Sequence, residues 1–295
     1  MNNDKLKGLM WGSLLGDAYS LGGHWVYDQD ELANSELNLE GLNDPLTSYH
    51  PTKKAGDFTH YGDQTVWLLE YMKKAQVYDP FVYGELWQKN MTNYNGYKDS
   101  ASNDSLLNIK SGRSFLAAGS GSHDLSVVGR HAPIMFTLKG MDEMLESVKF
   151  HNCLTHMSKE TLDASKYIAE VTLAMIYNLD VESTLKERAK FYGKAVEAEV
   201  EKAFQLKDEN SNKAIKTLGA SCNVTGGLAA TVYLLINHHN DFNALMKANV
   251  LAGGDSAARG MVAGMIVGAR YGFEAIKPSW IEKLNEYEAL TKLIS

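Results

Sequence analysis

Two aspartates sit where glycine-rich turns open into apolar helices: Asp63 in Thr59-His60-Tyr61-Gly62-Asp63-Gln64-Thr65, and Asp255 in Gly253-Gly254-Asp255-Ser256. A carboxylate at a helix start accepts backbone N–H groups and complements the helix dipole, so either residue can serve as a cap. If both turns face one cleft, the same oxygens can instead hold a hard cation or a polar substrate. Set close together without a cation, the two would repel, one pKa would climb, and the pair would become an acid and a base. Asp17, in Gly16-Asp17-Ala18, is a third candidate, either a site residue or a buried, hydrogen-bonded structural carboxylate. Arg259, one helical turn beyond Asp255, reads as an ordinary surface ion pair with it.

His24, His60 and His156, with Trp25, Tyr27 and Tyr61, are the residue types that would line an aromatic, hydrogen-bonding pocket, although each histidine taken singly is also an ordinary structural hydrogen-bonder. Gly119-Ser120-Gly121-Ser122, ahead of a helix expected at Ser126, offers either a backbone nest for an anionic group, with Ser122 at its edge and Arg130 assisting, or a flexible loop. No nucleophile elbow or P-loop occurs, and a cysteine nucleophile would need Cys153 or Cys222 to meet a base.

The elements that must position these groups are helices. Prolines are few, five in all, and between them apolar residues recur at three-to-four spacing. The periodicity predicts helices near 6–21, 64–76, 81–91, 126–138, 141–150, 158–179 behind a Ser158 cap, 183–206, 225–237, 242–250, 257–271 and 279–293, with no convincing strand. Two long polar stretches, 27–61 and 93–123, are expected as non-helical segments that build a site. Gly260, Gly264, Gly268 and Gly272 recur every four residues, and Gly12 and Gly16 match them in the first helix. Glycine there costs about 1 kcal/mol per position relative to alanine, so the stripe implies that these two helices cross in the core at unusually close approach.

With 295 residues, 44% hydrophobic and 22% charged, the chain can bury a large core, and one all-α domain over 1–295 is the simplest reading. A net charge of −7 argues against a nucleic-acid partner. No window approaches a membrane span and no signal-peptide pattern opens the chain, so a cytoplasmic location is expected. Two distant cysteines support neither a disulfide framework nor a structural zinc site.

Gly12-Ser13-Leu14-Leu15-Gly16-Asp17-Ala18, Gly129-Arg130-His131-Ala132-Pro133, Leu154-Thr155-His156, Ser221-Cys222-Asn223-Val224 and Gly253-Gly254-Asp255, in that order and spacing, resemble the ADP-ribosylglycohydrolase family across nearly the whole chain. The resemblance implies an orthogonal helical bundle, a cleft with one or two Mg²⁺ or Mn²⁺ ions, and hydrolysis of glycosidic bonds to ADP-ribose on a protein or small molecule. It places Asp63 and Asp255 as catalytic and metal-holding residues, and Asp17, His24, Tyr61, Gln64, Ser122, Arg130, His156 and Ser256 around the ligand. This chain departs from the family where metal is held. Thr-Asp-Asp-Ser/Thr becomes Gly62-Asp63-Gln64-Thr65, and Gly-Gly-Asp-x-Asp-Thr/Ser becomes Gly253-Gly254-Asp255-Ser256-Ala257-Ala258. The metal centre is therefore expected to be absent or reduced to one weak site. The wording of these segments resembles the branch that contains jellyfish J1-crystallin and selenoprotein J. An inactive ADP-ribose-binding or crystallin-like pseudoenzyme is the alternative reading.

Overall fold

The computed structural model describes residues 2–295. It is 68% helical, with no strand among the described residues beyond two isolated bridges. The architecture is organised by one helix pair, Asn3–Ser20 and Ser256–Tyr271, which run antiparallel through the core. A Cβ built on Gly12 would lie 2.2 Å from the Gly264 carbonyl oxygen, one on Gly16 2.1 Å from that of Gly260, and one on Gly8 2.3 Å from that of Gly268. Backbone touches backbone along the whole seam, as the two stripes imply, and Gly8 extends it by a turn that the sequence reading did not include. The remaining helices wrap this pair, and most buried apolar side chains belong to a single cluster.

The helices form where periodicity and caps agree. Ser158 accepts from the Thr161 amide and opens Lys159–Ile176, while Asp79 and Asp241 cap Pro80–Asn93 and Phe242–Leu251. Three expected helices are each two pieces. The 126–138 stretch divides into Ser126–Gly129 and Ala132–Thr137 because Pro133, in the first turn of the second piece, has no N–H to donate back to the Gly129 carbonyl. The 183–206 stretch divides into Val181–Ala189 and Gly193–Gln205 around Gly193 at φ +85°, and 279–293 into Pro278–Ile281 and Tyr287–Ile294.

The long polar stretches are not free of helix. Ser100–Lys110 lies inside the second, capped by Asp99, and Gln29–Asn34 inside the first, capped by Asp28. Ser211–Leu218 is a further helix that the periodicity passed over. The helix at 100–110 buries only Ala101, Ser102, Ser105 and Leu106, too little apolar surface to announce itself by periodicity. None of the helices is long and apolar enough to cross a membrane.

The seam makes a direct prediction. Gly264→Ala places a methyl group into the Gly12 carbonyl and should lower unfolding free energy by about 2–4 kcal/mol. Gly121→Ala, whose Cβ meets nothing within 4 Å, should change it by less than about 0.5 kcal/mol. Urea denaturation of both variants checks the pair, and equal midpoints would remove the close-approach account.

Candidate functional site

The site is assembled by backbone exchange between three segments far apart in sequence. After the first helix the chain reaches Trp25 at φ +64°, a rare conformation for a bulky residue. It is held there because the Trp25 amide donates to the Gly254 carbonyl at 2.8 Å and the Gly254 amide returns a bond to Val26 at 2.7 Å. Gly253 and Gly254 both have positive φ, and a Cβ on Gly254 would lie 2.0 Å from the Ala220 carbonyl oxygen. The Asp255 amide donates to that same carbonyl at 2.8 Å. From there the chain reaches Cys222, whose carbonyl accepts from the Leu125 amide, and Val224, whose amide donates to the His123 carbonyl, both at 2.7 Å. Asp255, Cys222 and Asp124 thereby converge, with one donor atom of each within 4.8 Å of the others.

Above them lies a cavity of roughly 290 Å³ lined by Trp25, Tyr27, Tyr49, Tyr61, Tyr97, Asp99, Ser100, Asp124 and Cys222. Asp255 is fully buried behind it. Its Oδ1 accepts from the Ala258 amide at 3.0 Å and its Oδ2 from the Tyr61 hydroxyl at 3.2 Å, and His24 Nδ1 stands 3.5 Å from Oδ1. Burial, together with the charges of Asp255 and Asp99, pushes Asp124 up to about 7. Burial likewise raises Asp255, against the Ala258 amide and Arg259, and raises the Cys222 thiol, which also faces both carboxylates. Asp99 goes the other way: burial is outweighed by His60, whose Nε2 stands 3.3 Å from Oδ2, by the nearby Arg130 and by the Ser102 amide, so its pKa is held below the usual carboxylate range.

Asp63 and Asp255, read from sequence as partners in one cleft, have separate surroundings. Asp63 accepts from Lys53 Nζ at 2.5 Å and from the Tyr94 hydroxyl. Burial still raises its pKa against the Lys53 ammonium. Asp17 is buried, accepting from the Thr59 amide at 2.7 Å and the Thr59 hydroxyl at 2.6 Å, which is the structural role. Of the other sequence candidates, Tyr61 lines the cavity and His24 backs it, stacked on Trp25 at 4.2 Å.

Several candidates do not reach the lining. Gln64 is buried and spent on the His60 carbonyl, Trp87 and Arg130, and Arg130 is sealed in with Gln64 and Thr155. His156 is buried with Nδ1 on Thr155, and Ser256 hydrogen-bonds the Ser20 carbonyl. Ser122 lies on the strap leading to Asp124, its hydroxyl accepting from the Asp124 amide at 3.1 Å. The Gly119–Ser122 run is pinned rather than flexible, since the amides of Gly119, Ser120 and Ser122 already have acceptors. Those committed amides leave little of a diphosphate nest. Arg259 is no surface ion pair: it is fully buried and donates to the carbonyls of Ala220, Asn249 and Gly253, bracing the glycine turn.

Asp124, Asp99, Tyr49, Tyr97 and Lys53 were not singled out in the sequence. The only cues were Asp99 as a helix cap and Cys222 within a family-like block, because the convergence depends on long-range backbone bonds.

A two-ion Mg²⁺ or Mn²⁺ centre does not fit these residues. At the first ligand turn Gly62 has no room for a side chain, since its Cβ would lie 2.5 Å from Asp17 Oδ2, and Gln64 points into the core. At the second, Ala257 and Ala258 pack with Tyr61 and Met261 in a small apolar cluster. Asp63 is already paired with the Lys53 ammonium, and the Asp124–Cys222–Asp255 set offers two carboxylates and a thiol, short of the oxygen donors a hard cation needs.

Comparisons with known proteins agree with this architecture. The family model described as ADP-ribosylglycohydrolase matches residues 2–295. Crystallin J1A of Tripedalia cystophora is 23% identical over 305 residues, covering 96% of this chain and 92% of that protein. Crystallin J1B of the same organism is 22% identical, covering 95% and 92%. A solved structure titled "ADP-ribosylglycohydrolase-related protein complex" superposes with a TM-score of 0.73 at 20% identity, covering 99% of this chain and 96% of that one.

Lys53→Met leaves the buried Asp63 carboxylate without its ammonium and should cost about 1–3 kcal/mol of stability at pH 7. The orphaned carboxylate's folded pKa then rises further above its unfolded value, so protonation relieves the penalty and the deficit relative to wild type shrinks as pH falls. Urea denaturation at pH 7 and pH 5 measures both, and an equal deficit at the two pH values would mean that charge on Asp63 is not what Lys53 stabilises.

Proposed function

The chain belongs to the ADP-ribosylglycohydrolase family, and from that premise we propose that it hydrolyses a glycosidic bond to ADP-ribose with a carboxylate pair, Asp124 and Asp255, in place of the metal pair. The observation that carries this reading is the convergence of those two groups at the floor of an open aromatic cavity, with their titrations pushed apart from the ordinary carboxylate range. Cleavage at ribose C1′ passes through an oxocarbenium-like transition state, which needs a proton acceptor for the incoming water and negative charge near the ring. Asp124 reaches the cavity and titrates near neutrality, which suits a general base. Asp255, fixed by Tyr61 and the Ala258 amide, faces the charge that grows on the sugar.

A second reading, binding without turnover, is favoured by Gly62, Ala257 and Ala258 at metal-holding positions and by two relatives whose names are crystallins.

One experiment separates the two. Chelator-treated protein is assayed across ADP-ribose linkages, and activity should persist without Mg²⁺ or Mn²⁺. A base must be ionised to act, so kcat/KM should fall about tenfold per unit as pH drops below about 7 and level off above it. Asp124→Asn should lose about 10²-fold or more. No turnover on any linkage, with ADP-ribose still bound, would give the second reading the field.

A further inference from the structure

The cavity has walls of one kind. Trp25, Tyr49 and Tyr97 meet as three nearly perpendicular rings, with centroids 5.0 Å apart for Trp25–Tyr49, 4.9 Å for Trp25–Tyr97 and 6.1 Å for Tyr49–Tyr97, and interplanar angles of 82°, 70° and 86°. Tyr27 and Tyr49, 56% and 51% exposed, leave large ring surface in water at the mouth, and Tyr61 closes the back. The corner is held at some cost, because Trp25 sits at φ +64°. Such backbone strain persists where surrounding bonds over-determine it, here the paired bonds to Gly254 and Val26, and it collects at ligand sites.

The charge of the lining has one sign. Asp99 and Asp124 reach the cavity, Asp255 lies behind them, and no lysine or arginine is among the residues that line it. Asp99 is the carboxylate whose environment favours the ionised form, its Oδ1 accepting from the Ser102 amide at 2.6 Å and its Oδ2 3.3 Å from His60 Nε2. Arg130 and Arg259 are the buried cations underneath, and both are committed to protein acceptors. A phosphate is repelled from such a space. A cation whose charge is spread over a flat face is attracted by the ring quadrupoles and by the carboxylate together. At roughly 290 Å³ the cavity takes one substituted ring with part of a ribose, and not a dinucleotide.

We propose that the aromatic corner of Trp25, Tyr49 and Tyr97, with Asp99 as counter-charge, binds a cationic heteroaromatic leaving group, which makes the substrate an N-ribosyl pyridinium. This deepens, and rests on, the hydrolase reading above. The chemistry balances without metal or acid. Water oxygen bonds to C1′, the C1′–N bond breaks with its electron pair returning to the ring nitrogen, the pyridinium leaves as a neutral pyridine, and the water proton passes to Asp124. An alkoxide leaving group would need protonation in the same step, whereas a pyridinium needs none.

The test measures binding apart from turnover. The 1-methylnicotinamide cation and neutral nicotinamide, nearly equal in shape, are titrated by calorimetry and by Trp25-dependent fluorescence. The cation should bind about tenfold more tightly or better. Tyr49→Leu and Tyr97→Leu should each reduce its affinity about fivefold or more while leaving the neutral compound little changed. Asp99→Asn should do the same if it folds, and Tyr49, exposed at the mouth, keeps the test decisive if it does not. Equal affinity for the two compounds, or no binding of either, overturns the proposal. Release of the free base from an N-ribosyl pyridinium dinucleotide is then assayed beside an O-linked ADP-ribosyl peptide. Cleavage of the O-linkage without cation preference sinks the pyridinium assignment and leaves the hydrolase reading in place. Selective cation binding with no cleavage of either leaves the cation site standing and removes the hydrolase reading.

Discussion

The closest constraint in this molecule is the contact between two glycine stripes. Gly8, Gly12 and Gly16 meet Gly268, Gly264 and Gly260 in antiparallel order, so the C-terminal end of the first helix lies against the N-terminal end of the second. That register puts the chain leaving Ser20 beside the chain entering Asp255. Asn249 donates to the Ser20 hydroxyl and to the Ser256 carbonyl across the same junction. Widening the seam by a methyl group would move Trp25 relative to Gly254, and the two amide bonds that hold the indole in its strained conformation would be lost together. The aromatic corner is therefore a consequence of helix packing as much as of the residues that form it.

Charge balance follows from the same geometry. Where the family holds cations, this chain has redistributed positive charge into its own side chains. Lys53 neutralises Asp63, and Arg259 supports the turn that carries Asp255 without reaching its carboxylate in a hydrogen bond. Tyr61, packed on Ala257 and Ala258, gives Asp255 a hydroxyl donor in return. The result is asymmetric. Burial raises all three carboxylates, but Asp63 has the Lys53 ammonium against it, whereas at Asp124 the charges of Asp255 and Asp99 add to the effect of burial.

How much of this was legible in the sequence depends on whether the signal is local. The glycine stripes, the Ser158 cap and the apolar periodicities are local, and the helices they imply are present. The family-like blocks carried the overall fold. The partition of the 126–138 helix is also local, since Pro133 has no N–H to continue the first piece and is suited to the first turn of a new one. Asp255 and Tyr61 stood out because they lie in glycine-rich turns, and both are at the site. Asp124 did not, and the Cys222 signals gave no link to Asp255, because both reach it only through the bonds from Asp255 to Ala220, Leu125 to Cys222 and Val224 to His123, each spanning dozens of residues. Arg259 misled for the opposite reason: i to i+4 spacing describes a neighbour along the helix, and the carbonyls of Ala220, Asn249 and Gly253 converge on the buried guanidinium where the one carboxylate already caps an amide.

The departures at positions 62, 64, 257 and 258 are physically coupled rather than four separate losses. Gly62 is needed because Asp17 and Phe58 fill the space beside it. Gln64 bridges Trp87 and Arg130 in the core, where a carboxylate would have to be paired with the guanidinium and would no longer accept a ligand. Ala257 and Ala258 make room for the Tyr61 ring, and a carboxylate at either position would be buried against it. Restoring any one metal-holding side chain would thus create a desolvated charge before it created a coordination site. What these positions leave is an arrangement of rings, a thiol and three carboxylates, Asp99, Asp124 and Asp255.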